Sequence, residues 1–593
     1  MTKSMKVFCM ASLSMLLSLS SASTTCSANE VSAQSMHPLV AASVSSNAGD
    51  AAFNDLADKY FDFGFTHNPD AATVLGIHKY DNLVPDFSAT AIKEEISGLK
   101  SFKQQFDAVK PETLTAQTKI DRQLILGDIN SRLLTLEQLK FWETDPDMYS
   151  SDSSSMIYNL MTRDFAPLSE RLKLVIEREK KIPVILRAGK ANLKNPPKIY
   201  TEVALEQLPG IIDFFKSSVP EAFKSVSDQN LQAEFKKAND DVIAQLKDYQ
   251  EFLKTDVLPR SNGTFAFGAD VYSKKLLYDE GVSTPIDQLL SEGDAELKRL
   301  QKDFVETAKQ IDPSKSPQDV FVAISSDHPT PQNLISSVSG VLSMLKNYCI
   351  DKNIVTVPKE DNLHVGETPP FMRALSFASM DSPGPFENKA KEAYYYVTLP
   401  EPNWSADRTE EHMRSFCKYD LLNTSVHEAF PGHYVQGLWN RTAPSKTTKI
   451  IGCNSNIEGW AHYTEQMMVE QGLDNNDPKL KLTMIHDALL RACRYMVGIK
   501  MHTKGMTMNE GIEYFIKEGY TEKANAERET KRGTKDATYL VYTLGKMQIL
   551  ALREDYKKAK GNAYTLKDFH DRFLATGCPP VSIIREVLLG SSK

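Results

Sequence analysis

The sequence predicts a mainly α protein in which long helices surround a cleft. Proline-free segments in both halves of the chain carry apolar residues three or four positions apart, which is the period of one helix face. The clearest stripes are Ile125, Ile129, Leu133 and Leu136 in the first half and Ile485, Leu489, Ala492 and Met496 in the second. No internal period indicates a solenoid. One short segment, residues 393–400, is rich enough in aromatic and β-branched residues to predict a strand.

The first 28 residues resemble a secretory signal peptide. Lys3 and Lys6 precede an apolar run over residues 7–19, and small residues follow it. Residues 29–50 are rich in Ser, Ala and Asn and predict a flexible stem. We therefore expect an exported protein, either periplasmic or secreted. Lipoprotein anchoring through Cys26 is a weak alternative, because the residues before this cysteine lack the usual aliphatic position.

The rest of the chain has a globular composition, with 41% hydrophobic and 25% charged residues. No other segment offers the roughly 20 apolar residues of a membrane span, so we expect no integral membrane segment in the mature chain. Removal of the leader with its two lysines shifts the formal net charge from −8 to −10, and this mild acidity argues against nucleic acid as a partner. The later cysteines stand far apart, which leaves one disulfide or buried thiols as alternatives.

We divide the chain after the stem into three regions. Residues 51–260 predict an N-terminal helical region, and residues 401–593 predict the helical region that carries the chemistry. Residues 261–400 are interpreted as an irregular connecting region, because they contain turn signals such as Asn262-Gly263 and Asp312-Pro313.

Two parts of the connecting region have more specific interpretations. The stretch over residues 367–385 is dense in Pro, Ser and Gly and indicates a linker or a lid. The strand at residues 393–400 is either an edge strand that pairs with an extended peptide or a hairpin strand of the core. The pattern does not distinguish these two roles.

The residues that indicate a chemistry lie between positions 427 and 462. The first group reads His427-Glu428-Ala429-Phe430-Pro431-Gly432-His433, and the second, 25 residues after His433, begins Glu458-Gly459-Trp460-Ala461. Two imidazoles and a carboxylate are the protein ligands of many catalytic Zn²⁺ sites, in which a fourth position stays open to water. We predict His427, His433 and Glu458 as zinc ligands. Glu428 is the predicted general base that takes a proton from the attacking water.

The spacing of the two histidines departs from the familiar His-Glu-x-x-His pattern. That pattern places the imidazoles at i and i+4 on one helix face, whereas His433 stands at i+6 from His427. Pro431 cannot donate a helical hydrogen bond and Gly432 tolerates unusual dihedral angles. We therefore expect a bulge or kink that turns His433 back toward His427.

Further polar residues are candidates for supporting roles. His462 is interpreted either as a partner that orients a ligand or as a rival third ligand, and Glu465 as part of a polar network. An oxyanion needs another donor, usually Tyr, His or Arg. The downstream candidates are His502, Arg532, Tyr539 and Tyr542, and the residues alone do not choose between the two tyrosines.

With these motifs, the chain resembles a large, mostly bacterial family of unknown function marked by His-Glu-x-x-Pro-Gly-His followed by Glu-Gly-Trp-Ala. It is more distantly similar to the helical zinc peptidases typified by angiotensin-converting enzyme and thimet oligopeptidase. The resemblance implies a gluzincin-like fold of many helices around a deep cleft, with a small β element beside the zinc helix. It also implies the ligand and base roles given above and favours Tyr542 as the oxyanion donor.

The sequence therefore predicts an exported zinc-dependent peptidase that hydrolyses short peptides, as an oligopeptidase or a carboxypeptidase. One alternative is a metal-dependent amidase or esterase that acts on a small non-peptide substrate. Another is a non-catalytic peptide-binding protein with a structural metal site. The oligomeric state is not predicted.

Overall fold

The computed structural model describes residues 48–360, 362–368, 378–401 and 404–590. The predicted signal peptide at residues 1–28 lies outside the described residues, as does most of the predicted stem. The last residues of that stem, from Ala48, already belong to the first helix.

The described chain is mainly helical, as predicted. The first region contains α1 (Ala48–His67), α2 (Pro69–Val74), α3 (Ala89–Ala108), α4 (Ala116–Leu134), α5 (Phe141–Thr144), α6 (Pro146–Met161), α7 (Leu168–Glu179), α8 (Ile182–Asn192), α9 (Lys198–Asp213), α10 (Val219–Phe223), α11 (Gln229–Phe252) and α12 (Leu258–Arg260). The stripe predicted around Ile125 and Ile129 forms the buried face of α4, where both side chains are fully buried.

The middle region is more helical than its turn signals suggested. It contains α13 (Ala269–Glu280), α14 (Ile286–Ile311), α15 (Pro317–Ile324), α16 (Leu334–Asp351) and three strands, β1 (Leu363–Glu367), β2 (Ala378–Asp381) and β3 (Ala393–Val397). The interpretation of residues 261–400 as irregular did not include the four helices α13 to α16. Asp312-Pro313 marks the end of α14, because proline disfavours a helical conformation in the residue before it.

The three strands form one small sheet in the order β1-β3-β2. β1 pairs with β3 in parallel and β2 pairs with it antiparallel, so Tyr395 stands between Val365 and Met380. β3 is thus the central strand, and the alternative of a free edge strand at this position is wrong. Tyr395, Tyr396 and Val397 are all buried, as expected for a strand covered on both faces. Of the predicted lid, residues 369–377 lie outside the described part of the chain.

The last region consists of packed helices. They are α17 (Ala406–Arg414), α18 (Lys418–Glu428), α19 (His433–Asn440), α20 (Lys446–Ile450), α21 (Asn454–Glu470), α22 (Pro478–Thr503), α23 (Met508–Gly519), α24 (Lys523–Lys535), α25 (Val541–Lys560), α26 (Leu566–Leu574) and α27 (Val581–Leu589). The main hydrophobic core is one cluster of buried side chains, whose members come from elements between Tyr272 on α13 and Ile584 on α27. The middle and last regions therefore share one core, and two smaller cores stabilise the N-terminal helices.

Two absences are relevant to the sequence predictions. None of the helices in the described part of the chain combines the length and the apolar character needed to cross a membrane. Within the same residues, all five cysteines, at positions 349, 417, 453, 493 and 578, are buried free thiols. The structure therefore favours buried thiols over a disulfide.

Candidate metal centre and catalytic cavity

The predicted zinc helix consists of two helices separated by a sharp break. α18 ends at Glu428, and α19 begins at His433. The peptide bond between Phe430 and Pro431 is cis, and Gly432 has φ −69° and ψ −135°, outside the helical region. The sequence predicted a bulge or kink within one helix. The structure shows a complete interruption after which His433 opens a new helix.

Gly432 lies directly against the last turn of α18. Its N–H donates to the carbonyl oxygen of Val426 at 3.0 Å. A β-carbon at Gly432 would lie 1.7 Å from the carbonyl oxygen of His427. Because real β-carbons do not approach so closely, only glycine allows this contact. The contact sets His427 and His433 side by side, with ring centroids 4.8 Å apart and ring planes at 87°.

Glu458 on α21 completes a group of three ligand atoms. Its Oε2 atom lies 3.5 Å from His427 Nε2 and 3.4 Å from His433 Nε2. The three ligand atoms all lie within 4.8 Å of one another. Ligands about 2.0–2.2 Å from a tetrahedral Zn²⁺ are separated by roughly 3.3–3.6 Å. The two nitrogen-to-oxygen distances agree with this geometry.

The surroundings of Glu458 also fit a bound cation. Its Oε2 atom is buried and has no hydrogen-bond partner among the described residues. The two imidazole nitrogens lie beyond the usual N–H···O distance of about 2.7–3.2 Å. A buried carboxylate oxygen without a partner is costly, and a cation shared with the two histidines removes that cost. The donor set therefore fits a divalent metal.

Glu465 orients the first histidine. Its Oε1 atom accepts a hydrogen bond from His427 Nδ1 at 2.6 Å, which leaves the lone pair of Nε2 directed to the ligand group. Arg491 Nη2 lies 3.0 Å from the same oxygen, and His462 Nδ1 lies 3.3 Å from Oε2. His462 thus contacts Glu465, which in turn orients His427. Among these contacts His462 touches no candidate ligand itself, so it supports the orienting carboxylate. Glu465 belongs to a polar network, as predicted.

The charges of this group favour ionised carboxylates. Burial raises the pKa of Glu458, but the imidazoles of His433 and His427 outweigh it and hold this pKa well below its usual value. Burial likewise opposes the ionisation of Glu465, whereas Arg491 and His462 lower its pKa well below the usual value. Both groups are therefore negative at neutral pH and suited to a cation.

A cavity of about 220 Å³ borders the candidate metal centre at His427. Its lining includes His427, Glu428, Arg491, Arg494, Arg532 and Tyr542. Glu428 is half-buried at the end of α18, directly after His427. Its carboxylate is thus placed to exchange a proton with a molecule inside the cavity.

Tyr542 reaches the cavity through a close contact between two helices. A β-carbon at Gly459 on α21 would lie 2.5 Å from Gly545 Cα on α25, and one at Gly545 would lie 1.7 Å from the carbonyl oxygen of Ser455. The backbones of α21 and α25 are therefore in direct contact. Because Tyr542 precedes Gly545 by less than one turn, this contact places its side chain near Glu458.

Arg532 holds the hydroxyl of Tyr542. Its Nη2 atom donates to Tyr542 Oη at 3.3 Å and also contacts Asp536 Oδ2 at 3.0 Å. Since the guanidinium can only donate, the hydroxyl hydrogen of Tyr542 stays available to another acceptor. Burial and, after it, the Glu458 carboxylate raise the pKa of Tyr542, so this hydroxyl remains protonated.

The structure does not bring His502 or Tyr539 to the cavity. His502 is 1% exposed, its Nε2 atom donates to the carbonyl oxygen of Gly533 at 2.8 Å, and its ring packs 4.6 Å from that of Phe267. Tyr539 is fully buried against Gly498 and Gly533. The prediction of an oxyanion role for His502 is corrected, because this residue packs in the core at the end of α22.

The sequence over residues 69–588 matches the family described as "Bacterial protein of unknown function (DUF885)". The chain belongs to this family. It is also similar to a solved structure described as "a putative lipoprotein of unknown function from Shewanella oneidensis", at 26% identity and a TM-score of 0.76, covering 91% of this chain and 99% of that chain. A second structure, "the putative lipoprotein from Colwellia psychrerythraea", shares the fold at 19% identity, a TM-score of 0.72 and the same coverage. The sequence matches none of the curated proteins.

In this DUF885 chain, sequence reasoning missed the basic residues of α22. Arg491 and Arg494 line the cavity, and Asp487 lies one turn before Arg491 on the same helix. The spacing i, i+4 and i+7 was a signal, since it sets three charged residues on one face beside an apolar stripe.

Proposed function

We propose that this protein is a zinc-dependent peptidase of gluzincin-like fold that hydrolyses short peptides. The observation that carries the proposal is the convergence of His427, His433 and Glu458 beside a cavity lined by Glu428 and Tyr542. The same residues make the chain similar to the helical zinc peptidases named above. Three protein ligands leave one position open, whereas structural zinc is normally closed by four protein ligands, so the donor set favours catalysis.

Each residue of the cavity has a distinct task in peptide hydrolysis. A bound Zn²⁺ supplies a Lewis acid that acidifies water and polarises the scissile carbonyl. Glu428 accepts the proton of the attacking water and delivers it to the leaving amine. Tyr542 donates its hydroxyl hydrogen to the developing oxyanion, and Arg532 positions that hydroxyl.

The size of the cavity supports a short substrate. Its volume of about 220 Å³ lies below the ~300–1,000 Å³ of most small-molecule pockets. The end of a flexible chain enters a cavity of this size more readily than a folded surface does. Short peptides therefore fit this site better than intact proteins.

We also propose that the protein is exported, to the periplasm or beyond the cell. The chain begins with a basic and then apolar leader. The similar structure from Shewanella oneidensis is described as "a putative lipoprotein", which agrees with export, and anchoring through Cys26 is a second form of this proposal.

The substitution Glu428→Gln tests the peptidase proposal. The variant should bind one equivalent of zinc, because Glu428 is not a ligand, while kcat on a peptide mixture falls by about 10²–10⁴-fold. Glu411→Gln, an exposed change on α17, serves as the matched control and should keep full activity. Products are identified by mass spectrometry.

Three results would contradict the proposal. Full activity of Glu428→Gln refutes the base, and a protein that binds no zinc refutes the metal centre. Hydrolysis of simple esters or amides without any peptide product favours the amidase or esterase alternative.

A further inference from the structure

Three guanidinium groups surround Tyr542 in the cavity. The central carbons of Arg491, Arg494 and Arg532 lie 5.8, 5.2 and 5.9 Å from the centroid of its ring. All three residues line the cavity and come from two helices, α22 and α24. Peptide hydrolysis as described above uses one of them, Arg532. Like charges gathered around one ring repel each other unless anions compensate them.

Carboxylates other than Glu428 and Glu458 fix the orientation of the three arginines. The pairs are Arg491 with Glu465 at 3.0 Å, Arg494 with Glu529 at 2.7 and 2.9 Å, and Arg532 with Asp536 at 3.0 Å. Arg494 binds Glu529 through two parallel hydrogen bonds, which is a rigid arrangement. The guanidinium groups are therefore held in place before a ligand arrives.

Each arginine retains a nitrogen that these partners do not use. Arg491 Nε and Arg532 Nη1 are buried and have no hydrogen-bond partner among the described residues. Arg494 engages Glu529 through Nε and Nη2, so Nη1 takes no part in that pair. The side chains of Arg494 and Arg532 are each only 11% exposed. Because buried N–H groups without acceptors are unfavourable, this corner of the cavity favours an acceptor with several lone pairs.

We propose that Arg491, Arg494 and Arg532 bind the free α-carboxylate at the C-terminus of the substrate, so that the enzyme removes residues from that end. A carboxylate is planar, carries four lone pairs and matches guanidinium groups in geometry and charge. The inference rests on the proposed peptidase function and decides between an oligopeptidase and a carboxypeptidase.

The reaction balances as a simple hydrolysis. The hydroxyl of water joins the acyl carbon, and the C–N bond of the peptide breaks. The remaining hydrogen passes through Glu428 to the nitrogen, which leaves as the amino group of the C-terminal fragment. That fragment carries the carboxylate held by the arginines.

The first experiment compares two peptides that differ only at the C-terminus, one a free acid and the other an amide. The zinc-loaded wild-type protein should cleave the acid with a kcat/KM about 100-fold higher, because the amide lacks the charge that the arginines bind. Mass spectrometry should show products shortened from the C-terminal end. Equal rates or internal cleavage would overturn the carboxylate site while leaving the peptidase proposal intact. No cleavage of either peptide would instead refute the peptidase proposal.

The second experiment measures binding without zinc, so that it does not depend on catalysis. Calorimetry with the metal-free protein compares an N-acetyl amino acid, its amide and inorganic phosphate. The acid should bind at least about tenfold more tightly than the amide, and Arg494→Gln should remove this preference. Arg528→Gln, which changes an arginine of α24 outside the cavity lining, is the matched control and should retain it.

Two outcomes would contradict the assignment. Tighter binding of phosphate than of the carboxylate would identify a different anion site, and an unchanged preference in Arg494→Gln would exclude this arginine. Circular dichroism checks the fold of the variant. Should Arg494→Gln not fold, the acid and amide comparison in the wild-type protein decides alone.

Discussion

Gly432 controls the distance between the two histidines of the candidate metal centre. Replacing it with alanine would set a β-carbon 1.7 Å from the carbonyl oxygen of His427, so α18 and α19 must separate. We expect Gly432→Ala to lower zinc affinity by about 100-fold or more, measured by competition with a chelator. Gly437→Ala on α19 is the control, because its β-carbon would meet no atom closer than 3.8 Å. Equal zinc affinity of the two variants would contradict this account.

Glu465 is expected to control metal affinity without contacting the metal. Glu465→Gln removes the charge that holds the Nδ1 hydrogen of His427 and leaves Arg491 without its anionic partner. Loss of such an orienting group typically lowers metal affinity by about 10–100-fold. Glu470→Gln, on the same helix but paired with Arg553 near the surface, should change zinc affinity little. A wild-type affinity in Glu465→Gln would show that His427 needs no orientation from this carboxylate.

At the scale of elements, the contact between α21 and α25 brings together Glu458, the proposed ligand, and Tyr542, the proposed oxyanion donor. Gly545→Ala would place a β-carbon 1.7 Å from the carbonyl oxygen of Ser455 and force the helices apart. We expect a loss of about 1–3 kcal/mol in the free energy of unfolding, measured in urea, together with a lower kcat because Tyr542 moves. Gly340→Ala on α16 meets no atom within 4 Å and should stabilise by about 1 kcal/mol. Unchanged stability and kcat in Gly545→Ala would contradict the role of this contact.

The elements also show how far periodicity predicts structure. The stripe at Ile485 and Leu489 identified α22 correctly, because a long amphipathic pattern depends only on local spacing. The turn signals in residues 261–400 were misread, since Pro and Gly mark the ends of helices as well as loops. The place of β3 in the sheet depends on partners from β1 and β2, which its own sequence does not encode.

At the scale of the whole molecule, buried neutral histidines predict sensitivity to acid. Burial lowers the pKa of His502 and of His570 to about 4, whereas the unfolded value is near 6.5. Below pH 6.5 the unfolded chain therefore binds protons that the folded protein does not, and stability decreases as pH falls toward 4. Each histidine contributes on the order of 3 kcal/mol to this loss.

Thermal unfolding of the metal-free protein between pH 4 and 7.5 checks this expectation. His502→Gln should give a flatter decrease of Tm with falling pH, because one titrating group is removed. Since His502 lies outside the cavity, kcat of the zinc-loaded variant should stay within a few-fold of wild type. The control His364→Gln changes an exposed residue and should keep the wild-type slope. An identical slope in His502→Gln would contradict the account.

The sequence by itself predicted the mainly helical fold and the three side chains that converge with Glu428 beside them. These features depend on periodicity and on residues close together in the chain, so local spacing carries them. Only the tertiary structure showed the break between α18 and α19, the burial of Tyr539 and His502 away from the cavity, and the cluster of Arg491, Arg494 and Arg532. Those features depend on how α21, α22, α24 and α25 pack. Helix packing brings together residues that are far apart in the sequence, and local sequence patterns do not predict which of them come into contact.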